Sequence, residues 1–71
     1  MARMDTATAT ATQRGIDLRL IRLQRRVSAA AVARSAGWSR QRVGAIEASD
    51  LPTTRARTRY LAALEQATAE R

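Results

Sequence analysis

The sequence predicts an all-α domain. Apolar residues recur at helical spacing, and no run alternates as a strand would. Ser28, Ser39 and Thr53 each stand just ahead of a helix-compatible run, where a side-chain oxygen can cap orphaned backbone N–H groups. Gly37 and Pro52 fall between those runs as breakers. At 71 residues the chain makes one small domain, whose core alone supplies only a few kcal/mol of net stability.

Residues 1–13, MARMDTATATATQ, form a low-complexity stretch with little to bury and are expected to be a disordered arm ahead of a folded domain at 14–71. Gly15 and Asp17 then introduce a first helix of roughly Asp17 to Arg26. It carries two apolar stripes, Leu18 with Ile21, and Ile16 with Leu20, Leu23 and Val27. Only one can face the core of an ordinary two-sided helix, which leaves the other for the C-terminal helix or a second subunit.

Ser28 and Ser39 lie so close that only one short helix fits between them. The second helix is expected at about Ala29–Ala36, with Ala29, Val32, Ala33 and Ala36 on one face, and the third at about Arg40–Ala48. Gly37 serves the turn because a residue just past a helix end often needs positive φ. Two short helices joined by a Gly-containing turn of three to four residues are the helix-turn-helix pattern.

In the third helix Val43 and Ile46 share one side, while Gln41, Gly44, Ala45 and Ala48 leave the other almost bare. Small residues on a solvated face are unremarkable, and alanine favours helix. Gly44 fits that account poorly, since glycine inside a helix costs about 1 kcal/mol relative to alanine. A floor of Gly44, Ala45 and Ala48 instead lets the helix axis approach base edges closely, with Arg40 and Gln41 reaching down from the first turn.

Beyond Ser49-Asp50-Leu51-Pro52, Thr53 or Thr54 can cap a final helix of roughly Arg55–Glu70, with Tyr60, Ala63, Leu64 and Ala67 on its buried face. Arginines 55, 57 and 59 crowd its first two turns, where the helix dipole disfavours cations. A nearby phosphate would relieve them, and a solvated basic face is the alternative.

Thirteen basic residues, all arginine, against six acidic ones give a formal charge of +7 and a pI near 11.8. That balance suits a polyanionic partner. A GC-rich coding bias would explain the absence of lysine, but not the net charge. Cysteine and histidine are absent, which removes disulfides, thiolate metal sites and the commonest general base. No carboxylate pair, nucleophile–base set or phosphate loop is apparent, so neither enzyme activity nor any cofactor is expected. No run approaches the ~18 apolar residues of a membrane span, and the N-terminus lacks a signal-peptide core. No membrane association is expected, and a cytoplasmic, nucleoid-associated location is.

Gly15-x-x-Leu18-Arg19-x-Ile21-Arg22, Val27-Ser28, Val32-Ala33, Ala36-Gly37-x-Ser39, Val43, Ile46-Glu47 and Pro52-Thr53 fall in a single register. Together they resemble the Cro/cI-type (XRE-type) helix-turn-helix family over about residues 14–68. The resemblance implies a compact four- to five-helix bundle of the lambda-repressor-like kind, binding double-stranded DNA as a homodimer on a near-palindromic operator. Such a protein would be a transcriptional regulator, most simply a repressor, or alternatively an antitoxin that grips a toxin and regulates its own operon.

On this resemblance the third helix would read bases through Arg40, Gln41, Gly44 and Ala45. Arginine suits guanine, glutamine suits adenine, and the alanine methyl suits a thymine methyl. Ser28, Ala29, Ser39 and Arg42 would meet phosphate, as would Arg55 and Arg57 at the fourth helix start. Arg22 and Glu47 would form a buried ion pair. Apart from the resemblance, the N-terminal arm could carry Arg3 or Arg14 to the minor groove, as some DNA-binding domains do, with a plain tail as the alternative.

The chain also departs from the family. Ala29 replaces a contacting glutamine, Arg26 a glycine, and Trp38 a smaller apolar residue, expected here as a partly buried plug rather than an exposed contact. Thr54 and Arg57 replace leucines, so the start of the fourth helix is expected to shift or fray.

Overall fold

Local signals and tertiary packing agree over most of the chain. The computed structural model describes residues 13–70, and within them the fold is all-helical, with four helices and no strand. These are α1 (Gly15–Gln24), α2 (Ala29–Ala36), α3 (Arg40–Ala48) and α4 (Thr54–Ala69). The expected arm at 1–13, with Arg3, lies outside the described residues except for Gln13.

The helix starts follow their caps. Ser28 Oγ accepts from Ala31 N–H at 3.0 Å, Ser39 Oγ from Arg42 N–H at 3.1 Å, and Thr53 Oγ1 from Ala56 N–H at 3.1 Å. α2 and α3 occupy the spans read from the sequence, and α4 is shifted by a single residue at each end. Its start is firm rather than frayed, because Thr53 caps it and Arg57 clamps the preceding loop by donating to Pro52 O at 2.6 Å and Thr54 Oγ1 at 3.1 Å.

α1 differs more from expectation, beginning at Gly15 and ending at Gln24. Its start is set by a long-range contact. A Cβ at Gly15 would lie 2.4 Å from Ile46 O and 2.5 Å from both Glu47 O and Ser49 O, so only glycine lets α1 abut the C-terminal end of α3 this closely. The Gly15 N–H donates to Ser49 O at 3.1 Å, and the Asp17 carboxylate accepts from Arg14 N–H at 2.8 Å.

The end of α1 is set by a Schellman closure, in which Val27 N–H reaches Arg22 O at 3.2 Å and Arg26 N–H reaches Leu23 O at 3.0 Å. Arg26 occupies the left-handed position with φ 56°. α2 ends with the same pattern, Trp38 N–H to Ala33 O at 2.9 Å and Gly37 N–H to Arg34 O at 3.3 Å, with Gly37 at φ 73°.

The core is made of Leu18, Val27, Val32, Ala33, Ala36, Val43, Ile46, Tyr60, Ala63, Leu64 and Ala67. α4 lies across α2 and α1, and α3 is held between α1 and α2. Of the two α1 stripes, Leu18 and Ile21 face inward. Ile16, Leu20 and Leu23 are 48%, 50% and 48% exposed. Val27 leaves that outer stripe for the core, because the closure at Arg26 ends the helix before it.

Candidate nucleic-acid interface

The inward side of α3 is fixed by a polar knot as well as by Val43 and Ile46. Arg22 Nε donates to Glu47 Oε2 at 2.7 Å and Arg22 Nη2 to Glu47 Oε1 at 3.2 Å, so the expected ion pair is present and bidentate. Arg22 Nη1 donates to Val27 O at 3.0 Å, tying the pair to the α1–α2 turn. Tyr60, fully buried in α4, donates its hydroxyl to Glu47 Oε2 and reaches Leu18 O at 3.4 Å. The Arg22 guanidinium is held above its ordinary pKa chiefly by the Glu47 hydrogen bond, against the opposing effect of burial. Burial first, and then the bond to Glu47, pushes the Tyr60 phenol up.

With that side locked, the outward side is determined by the helical repeat. Arg40, Gln41, Gly44, Ala45 and Ala48 are all exposed. A Cβ at Gly44 would meet no described atom within 4 Å beyond its own helix, so no packing among the described residues requires glycine there. The four sequence-predicted reading residues thus share one open face, with Arg40 and Gln41 in the first turn.

Around this face the polarity of the helix ends is uneven. α1 has Asp17 in its first turn, whereas α2, α3 and α4 have no acidic residue in theirs. Their N-termini therefore keep the positive end of the helix dipole without a carboxylate. Ser28 and Ser39 lie at two of these ends as exposed caps. Ala29, half-buried with its methyl group against the core, stands in the first turn of α2, where its main chain faces the same end.

Arg57 is a correction to its expected role. It is 8% exposed, and its donors are turned to Pro52 O and Thr54 Oγ1, so it braces the α3–α4 loop and does not face a phosphate. Its place three residues ahead of Tyr60, on the stripe continued by Leu64 and Ala67, was the available signal of burial.

Two features have no counterpart in the sequence reading. The Arg42 guanidinium lies over the Trp38 ring, 5.3 Å from its centroid, while Trp38 itself is half-buried against the core as the expected plug. Arg59 donates through Nε and Nη2 to Ala36 O at 3.1 and 2.8 Å, satisfying the C-terminal end of α2. Trp38, Arg42, Thr53, Arg55, Ala56 and Arg59 together line an open cleft of about 250 Å³ with no carboxylate in its wall. A second, more open groove shares Arg42, Thr53 and Ala56 with it and extends along Ala45 and Ile46 of α3 to Pro52 in the α3–α4 loop.

Among the described residues no group of three or more acidic residues could hold a metal ion, and no helix is long and apolar enough to cross a membrane. No protein-family model, curated protein or solved structure matches the chain.

Proposed function

We propose that the protein is a sequence-specific double-stranded DNA-binding regulator of the helix-turn-helix class, a repressor that acts by occupying its operator. In this reading α3 lies in the major groove, with Arg40 and Gln41 on base edges. The bare floor of Gly44, Ala45 and Ala48 allows the approach. Arg42, Arg55 and the capped ends at Ser28 and Ser39 meet the backbone and set affinity, while the first turn of α3 sets sequence.

The observation that carries the reading is the outward side of α3, where a glycine that packing does not need sits among small exposed residues behind two long polar ones. The net charge of +7 supports a polyanionic partner. A homodimer, with Ile16, Leu20 and Leu23 as the candidate contact, would place half-sites about 34 Å apart.

Selection of bound duplexes from a random pool tests this directly. A repeated, two-fold symmetric motif is expected, preferred over unrelated duplex by at least about 10³ at fixed salt. Enrichment of no motif would refute it.

A further inference from the structure

We propose that the cleft between Trp38 and the start of α4 is a preformed seat for one phosphodiester of the duplex backbone, in which Trp38 positions Arg42. The inference rests on the DNA-binding reading of α3 and deepens it, giving the backbone contacts of Arg42 and Arg55 a built site to which Trp38 and Arg59 also belong.

Three guanidinium-bearing side chains, those of Arg42, Arg55 and Arg59, border one concavity from two helices, and no carboxylate lines it. Such a convergence of like charge is unfavourable unless an anion shares it. Among the described residues Arg59 hydrogen bonds to a neutral carbonyl and to no carboxylate, which leaves, of five N–H donors, those on Nη1 and one on Nη2 for a ligand. Arg42 is long and exposed, and an unsupported side chain of that length would lose much rotamer freedom on binding. Stacking over the Trp38 ring removes part of that loss beforehand.

The main chain of Trp38 is held by the closure of α2, and its indole packs partly buried against the core. It therefore forms a fixed wall rather than a mobile flap. Arg42 borders both the cleft and the neighbouring groove at the exposed Ala45, so a strand laid along the exposed side of α3 would have the cleft beside it. That continuity favours a backbone phosphate over an acidic peptide, which has no reason to follow α3.

Trp38 is the chain's only tryptophan, so its emission reports the cleft. Duplex DNA is titrated at several salt concentrations into the full chain and into Arg55→Gln, Arg42→Gln, Trp38→Leu and Trp38→Phe, with labelled-duplex anisotropy for the tryptophan variants. Inorganic phosphate and pyrophosphate are titrated separately.

Duplex is expected to shift Trp38 emission. Arg55→Gln should weaken motif-bearing and unrelated duplexes alike, by about 3- to 10-fold, and lower the salt slope by about 1. Trp38→Leu should reproduce the loss of Arg42→Gln, with no further loss in the double variant, and Trp38→Phe should restore most of it. A merely structural tryptophan would not give that non-additivity. Duplex binding with unchanged emission and unchanged slopes in Arg55→Gln and Arg42→Gln would overturn the cleft and leave the reading of α3 standing. Phosphate or pyrophosphate moving the emission in an Arg55-dependent way while no duplex binds would overturn the duplex backbone as the occupant, place the source in free phosphate, and refute the reading of α3. A glutamate-rich peptide moving the emission more strongly than duplex would overturn the proposal.

Discussion

The two sides of α3 follow opposite rules of side-chain choice. Inward, Val43 and Ile46 are buried and Glu47 is engaged by Arg22 from α1 and Tyr60 from α4, so each position is constrained by several partners. Outward, a Cβ at Gly44 would touch no described atom beyond its own helix, across an open hollow from Ile16 and Arg19 of α1, and Ala45 and Ala48 present methyl groups to solvent. Folding accounts for every inward residue and for none of the outward ones. The difference teaches where to look for function: helix stability alone would favour alanine over Gly44, and the fold makes no use of the exception.

The sharpest way to break this contrast is to disturb the locked side. Glu47→Ala leaves the buried Arg22 guanidinium without its counter-charge and the Tyr60 hydroxyl without its acceptor. It is expected to cost about 3–5 kcal/mol in urea unfolding, enough to unfold much of so small a domain. On the outward side, Arg40→Ala and Gln41→Ala should each cost about 1–3 kcal/mol of binding to the selected duplex and relax one base preference per half-site, while unfolding stability moves by less than about 0.5 kcal/mol. A large stability loss at Arg40 or Gln41 would erase the distinction.

The knot also predicts a pH dependence. Tyr60 is the chain's one tyrosine, and its folded pKa lies above the ordinary value of 10, so as pH rises the unfolded chain releases its proton first. The stability it contributes is intact below pH 10 and declines above it, by up to about 1.4 kcal/mol per pH unit. Tyr60→Phe should abolish that decline in denaturant titrations at alkaline pH. The smallest expected effect belongs to Gly44→Ala, which should raise stability by about 0.5–1 kcal/mol while weakening duplex binding, since the added methyl occupies the floor of the approach. Unchanged or tighter binding in that variant would show that the bareness of the face has no role.

What the sequence made legible was whatever a local signal encodes. Ser28 and Ser39 marked their helices because a cap acts within three residues, the pair Thr53 and Thr54 marked the last without saying which of them caps it, and Gly37 marked the end of α2 because its conformation favours glycine. Arg22 and Glu47 were reached through family resemblance, whereas the Tyr60 hydroxyl between them had no local signature.

Other features depended on distant partners. The need for glycine at 15 arises only when the carbonyls of Ile46, Glu47 and Ser49 arrive from more than thirty positions away. Arg26 closes α1 as Gly37 closes α2; the resemblance marked the position by the glycine it replaces, whereas arginine itself has no preference for the left-handed region. Arg57 was misread because an arginine suggests surface, although its stripe pointed inward and Pro52 O awaited it. Within the candidate interface the outward residues of α3 followed from periodicity. The stacking of Trp38 and Arg42 required the turn to be built first.

The meeting of three helices at the Glu47 carboxylate has a kinetic consequence. Because α1, α3 and α4 are fastened at that one group, α3 has no hinge of its own, and its aim is settled when the chain folds. A molecule that docks on the outward side meets a rigid tool rather than one that must search for its shape. Encounter rates should then follow ionic strength through long-range steering, with no slow rearrangement step.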